Sequence, residues 1–109
     1  MRPALALLLL LAAPTPVPAQ AQGQASRDWN AEKCARYAAM WPQALAMFGR
    51  EGLGAEFLDR HAAFLESGCR ARIEVCPRSP QELALADAMT IAAMNAGTAS
   101  SFVPFRCGG

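Results

Sequence analysis

The four cysteines of this 109-residue chain are the residues that could take part in the most kinds of chemistry. Cysteine thiolates can bind a metal, exchange electrons as a dithiol, or pair as structural disulfides. Closed Cys₄ zinc sites carry cysteine pairs about two to four residues apart, and the sequence has no such pair. It also lacks the Cys-x-x-Cys motif of thioredoxin-like centres and of c-type haem attachment. We therefore predict structural disulfides, with no metal and no cofactor, at Cys34, Cys69, Cys76 and Cys107.

His61 is the single histidine and the weak candidate for a functional residue. As a general base it would need a substrate or nucleophile within hydrogen-bond reach and a group that orients its ring. Its spacing from Phe57 and Phe64 places it on the apolar stripe of a predicted helix. We therefore predict a hydrogen-bonded core histidine and assign no catalytic residue. The candidate partners that only the fold could bring to it are Asp87, Thr90 and Ser100.

Two other groups of side chains have chemical interpretations that we consider weaker than structural ones. Thioether sulfur suits Cu(I), but the methionines after residue 21 are scattered among expected core positions, so we predict core filling. A cluster of arginines precedes the predicted third helix, whose N-terminus could help them hold an anion, but we predict a solvated rim. The methionines are Met40, Met47, Met89 and Met94, and the arginines are Arg70, Arg72 and Arg78.

The first residues have the pattern of an export signal. Arg2 precedes an apolar run over residues 4–13, a proline-rich break and the small-x-small triplet Ala19-Gln20-Ala21. The run is too short to cross a bilayer, which needs about 20 apolar residues. We predict a signal peptide over residues 1–21 that is cleaved near Ala21, or alternatively near Ala19. The chain would then be periplasmic or secreted, in a compartment that favours disulfides.

Residues 22–109 are enough for one small domain, whose core is too small to be stable without cross-links such as disulfides. Loss of Arg2 with the signal peptide leaves equal numbers of basic and acidic residues. This balance predicts no nucleic-acid partner, and nothing after cleavage predicts stable membrane insertion. Lys33 is the only lysine among ten basic residues, and with the heavy use of alanine this suggests a bacterial protein.

The periodicity predicts an all-α fold of three helices, a helical hairpin plus a third helix. Residues 22–29 are expected to be a flexible segment, and a single domain follows over residues 30–109. The first helix runs from Asn30 to Phe48, where Pro42 should either kink it or make it break and restart. The second runs from about residue 55 to 67.

The third helix has the clearest start signal. Ser79 is a predicted N-cap, Pro80 the first helical residue and Glu82 the partner of a capping box. The helix should end near Ala96 before Gly97, and the tail over residues 98–109 is predicted to be irregular.

Helix dimensions favour one of the three possible disulfide pairings. An antiparallel hairpin would return Cys69 to Cys34, and the tail is long enough to bring Cys107 back to Cys76. We therefore prefer Cys34–Cys69 with Cys76–Cys107, although the same reasoning gathers all four cysteines at one end of the molecule. The other open pairings are Cys34–Cys76 with Cys69–Cys107 and Cys34–Cys107 with Cys69–Cys76.

A domain of this size cannot bury every large apolar side chain, and exposed apolar patches commonly mark partner surfaces. We predict a non-enzymatic binding, accessory or inhibitor-type module that docks on a larger protein. The alternative is a periplasmic carrier of a small apolar ligand or metal ion, with a cavity lined by Phe57, Phe64, Met89 and Met94. A third, weaker hypothesis is an enzyme that uses His61. The predicted partner surface consists of Trp29, Trp41, Phe102 and Phe105.

Overall fold

A computed structural model describes residues 28–108 and shows the predicted all-α fold. Its helices are α1 (Trp29–Phe48), α2 (Ala55–Glu66) and α3 (Pro80–Asn95), followed by a single 3₁₀ turn over Ser100–Phe102. The predicted signal peptide lies outside the described residues. None of the helices within residues 28–108 combines the length and the hydropathy that a membrane-spanning segment needs.

Helix α1 starts one residue earlier than predicted and continues through its proline. Asp28 caps it by accepting a hydrogen bond from the Ala31 backbone N–H. The last two residues of the predicted flexible segment 22–29, Asp28 and Trp29, therefore form the cap and the start of the first turn. Pro42 lies inside the single helix, so the predicted alternative of a break and restart is wrong. Pro42 is exposed, while neighbouring Trp41 and Leu45 pack on the core, which holds both halves of the helix in place.

Helices α1 and α2 form the predicted antiparallel hairpin. At one end the Asn30 side chain donates a hydrogen bond to the Gly68 carbonyl at 3.1 Å, and further along α1 Trp41 stacks on His61 of α2. The loop between the helices turns at Gly49 and Gly52, whose φ angles of 80° and 81° lie in the region that glycine adopts without strain.

Helix α3 packs on the hairpin, antiparallel to α1. Near its C-terminus the Arg36 guanidinium donates to the Ala96 carbonyl at 3.2 Å. At its start the Ser79 hydroxyl donates to the Gly52 carbonyl at 2.7 Å. The capping box is confirmed, because Ser79 Oγ accepts from the Glu82 N–H and Glu82 Oε1 accepts from the Ser79 N–H.

The preferred disulfide pairing is confirmed, but the expected gathering of all four cysteines at one end is wrong. Cys34–Cys69 joins the start of α1 to the end of α2. Cys76–Cys107 lies at the opposite end, beside the loop between those helices. The connector after Cys69 runs along the hairpin and so carries Cys76 to the other end of the molecule. On the way, Val75 pairs with Phe105 of the returning tail in an isolated bridge.

The core lies where the three helices and the tail meet. Tyr37, Leu85 and Met89 are among its fully buried large side chains, and Val103 of the tail closes it. Two polar residues, His61 and Glu82, are buried with them. They are the groups whose local chemistry needs explanation, because burial of a polar group is costly unless it is hydrogen-bonded.

Candidate functional site

His61 is a hydrogen-bonded core residue, as the sequence predicts. It has no exposed surface, and its Nε2 lies 2.7 Å from the Tyr37 hydroxyl. Trp41 of α1 covers it with the ring centroids 3.9 Å apart, and Phe105 of the tail stacks on it at 5.7 Å with the rings nearly parallel. The ring is therefore held by α1 and by the tail.

Burial controls the protonation of this pair. It lowers the pKa of His61 to about 4 and raises the pKa of Tyr37 above its ordinary value. Both residues are therefore neutral near pH 7. His61 Nδ1 is buried without a hydrogen-bond partner, so the N–H that the imidazolium form carries at this nitrogen would be unpartnered.

The candidate catalytic partners lie elsewhere. Asp87 is exposed on α3, the Thr90 hydroxyl donates to the Ala86 carbonyl at 2.8 Å, and Ser100 is exposed in the 3₁₀ turn. The hydrogen-bond partner of His61 is a tyrosine that burial keeps neutral. This geometry holds an imidazole in the core and does not present it to a substrate.

The four residues expected to line the cavity of the alternative carrier do not all lie in the core. Among residues 28–108, no group of three or more histidine, cysteine or acidic side chains could hold a metal ion. Met89 fills the core and Met40 packs against it, but Met47 and Met94 are 81% and 50% exposed, so the core prediction fails for those two. Met94 therefore cannot line one cavity with buried Met89.

The four aromatic residues of the predicted partner surface do not form one exposed patch. Trp29 is 53% exposed. The other three are partly buried and pack against the core, and these are Trp41, Phe102 and Phe105. Two of them, Trp41 and Phe105, cover His61, which explains why they are drawn inward.

An apolar surface made of residues outside the four predicted ones lies on the side of α3 that faces away from the core. Leu83, Ile91 and Met94 are 48%, 61% and 50% exposed and are spaced three to eight residues apart, with Asp87 between them. We call these four residues the α3 outer face. Beside it, a shallow groove of about 210 Å³ is lined partly by Phe48, Pro80 and Ala84. The available signal was that α3 is apolar on every side, although one hairpin can cover only one side.

A larger cleft of about 770 Å³ lies at the opposite end from Cys34–Cys69. The α1–α2 loop, the connector and the tail surround it, and the Cys76–Cys107 disulfide forms part of its wall. Its charged lining residues are Glu56, Arg60, Glu74, Arg78 and Glu82.

Glu82 already occupies the two helix N-termini at this cleft. Its Oε2 accepts from the Gly54 N–H at 2.8 Å, and its Oε1 accepts from the Arg78 and Ser79 N–H groups at 2.9 and 3.1 Å. Burial alone would raise the pKa of Glu82, but the backbone donors and the Arg78 guanidinium lower it overall. The Glu82 carboxylate therefore occupies the backbone donors at the helix N-terminus that an external anion would otherwise use.

The three arginines that precede the third helix are exposed, as expected of a solvated rim. Arg70 pairs with Asp28 at the start of α1, and Arg72 is exposed. Only Arg78 of the three lines the cleft.

No family model, no curated protein and no solved structure matches this chain. Its function must therefore be inferred from the arrangement of its own residues.

Proposed function

We propose that this chain is a small exported, non-enzymatic protein that docks on a larger protein partner through the α3 outer face. The observation that carries the proposal is the exposure of Leu83, Ile91 and Met94 on one side of a helix whose opposite side is the core. Because about half of each side chain is already buried, full burial by a partner would contribute about 1 kcal/mol per side chain.

The two disulfides support export, because stable disulfides indicate an oxidising compartment. The N-terminal sequence supports the same conclusion through its signal-peptide pattern. A periplasmic or secreted bacterial protein that acts by binding is consistent with both observations.

The carrier and enzyme hypotheses have less support. A carrier needs a cavity, whereas Phe57, Phe64 and Met89 belong to one buried cluster and Met94 is exposed on the other side of α3. An enzyme that used His61 would need the imidazole to be accessible and close to an acid, whereas it is fully buried against Tyr37.

Native mass spectrometry of the protein purified gently from its own compartment tests the proposal. We expect a co-purifying protein with the wild-type chain and its loss from the Ile91→Glu variant. The control Met47→Glu should retain it, because Met47 is an even more exposed apolar residue outside the α3 outer face. A bare wild-type monomer, or a complex that survives Ile91→Glu, would contradict docking at this face. A retained small molecule would favour the carrier.

A further inference from the structure

We propose that Cys76–Cys107 is a site of thiol–disulfide exchange, which a thiol or dithiol reductant opens while Cys34–Cys69 stays closed. This goes beyond the docking function and does not depend on it. The chain would thus carry one structural disulfide and one that a reductant can modify.

The two disulfides differ in how far the fold protects them. Cys34 and Cys69 are each only 7% exposed and belong to the core cluster. Cys76 is partly buried and Cys107 is exposed. Because exchange requires a thiolate to reach a sulfur atom, the fold favours attack on the second bond.

The cleft provides the approach to this bond. Both Cys76 and Cys107 line its volume of about 770 Å³, which is large enough to admit a small thiol or the cysteine side chain of another protein. Its charges are mixed, since the guanidinium groups of Arg60 and Arg78 lie among three glutamates. Because the glutamates outnumber the arginines, the lining gives an incoming thiolate no net electrostatic attraction, and the open approach to the sulfur atoms is what favours exchange here.

Exposure also selects the sulfur that is attacked. The incoming thiolate forms a bond to Cys107 Sγ, the Cys76–Cys107 bond breaks, and its electron pair leaves on Cys76 Sγ as a thiolate, which takes a proton from water. With a dithiol, the second thiolate then attacks the mixed disulfide and releases Cys107. The reductant is oxidised to a disulfide as Cys76 and Cys107 gain two electrons.

Opening this bond would loosen the cover over His61. The tail is joined to the connector by hydrogen bonds from the Val75 N–H to the Pro104 carbonyl at 2.9 Å and from the Arg106 N–H to the Val75 carbonyl at 3.2 Å. Phe105 lies between these contacts and stacks on His61. Reduction would leave two backbone hydrogen bonds and local packing to hold the residue that covers the imidazole.

Timed reduction of the intact, folded protein with glutathione or dithiothreitol tests the proposal. Samples are quenched by alkylation and each cysteine is quantified by peptide mass spectrometry. With dithiothreitol we expect Cys76 and Cys107 to be labelled about tenfold faster than Cys34 and Cys69, or more. With glutathione, the trapped intermediate should carry glutathione on Cys107 and the alkyl group on Cys76.

The matched control is the same protein in guanidinium chloride. There the two bonds should be reduced at similar rates, because the fold no longer protects Cys34–Cys69. Equal rates in the folded protein, earlier opening of Cys34–Cys69, or a preference that persists undiminished in the denatured chain would each overturn the proposal.

Discussion

The Tyr37 hydroxyl lies 2.7 Å from Nε2 of His61, and neither residue has exposed surface. This hydrogen bond links α1 to α2 inside the core, between the two ends at which the disulfides close the molecule. The pair places the one histidine of the chain where its charge state affects stability and where it cannot meet a substrate directly.

Acid should destabilise the fold through His61. Its folded pKa of about 4 lies below the unfolded value near 6.5, so the unfolded chain binds more protons between these pH values. The stabilisation from the neutral imidazole is therefore complete above about pH 6.5 and is lost as the pH falls to about 4, by roughly 3 kcal/mol. Urea unfolding at several pH values measures this loss.

The control for the pH experiment is His61→Phe, which keeps an aromatic ring and removes the titrating group. Its free energy of unfolding should change much less between pH 6.5 and 4. An unchanged pH dependence in this variant would assign the acid sensitivity to other groups.

Loss of the Tyr37 hydroxyl should also be costly. In Tyr37→Phe the ring packing is kept, but Nε2 of His61 becomes a buried polar atom without its partner, so we expect a loss of about 1–3 kcal/mol in the free energy of unfolding. The same substitution made in the His61→Phe background should cost clearly less, because no imidazole is then left unpaired. Equal costs in the two backgrounds would show that the hydrogen bond does not couple the residues.

Local signals in the sequence were sufficient for the three helices, whereas helix dimensions only favoured the observed disulfide pairing over two others. Ser79 and Glu82 predict the capping box because it depends on residues three apart, and the antiparallel hairpin follows from helix lengths. The position of Cys76–Cys107 could not be obtained in this way, because it depends on an extended connector that is aligned by Val75 and the distant Phe105.

The site was harder to predict for the same reason. The helical stripe indicates that His61 is in the core, but neither Tyr37 nor Phe105 is close to it in sequence. The hydrogen bond from the Gly54 N–H to Glu82 likewise joins two separate helices, and no local sequence motif predicts it.

Glu82 should matter more than an ordinary helix cap. Its carboxylate accepts from three backbone N–H groups at the starts of α2 and α3, so Glu82→Ala leaves the Gly54, Arg78 and Ser79 donors without it. We expect a loss of about 2 kcal/mol or more, above the roughly 1 kcal/mol of a typical cap. Glu82→Gln keeps one acceptor oxygen and should lose less. Thermal or urea unfolding measures both.

Glu56 provides the comparison for Glu82. It is an exposed acidic residue in the first turn of α2, and Glu56→Ala should cost no more than about 1 kcal/mol. Similar losses for Glu56→Ala and Glu82→Ala would contradict the double capping role.

Substitutions on the two sides of α3 should differ strongly in their effect on the free energy of unfolding. Met89 has 1% of its surface exposed and packs in the core, so Met89→Ala should cost about 2–5 kcal/mol through lost burial and a cavity. Ile91, two residues further along the same helix, is 61% exposed, and Ile91→Ser should change the free energy of unfolding by no more than about 0.5 kcal/mol. Urea unfolding of the purified monomer measures both. Comparable losses at the two positions would mean that the α3 outer face is needed for folding, and its apolar side chains would then no longer require a partner to explain them.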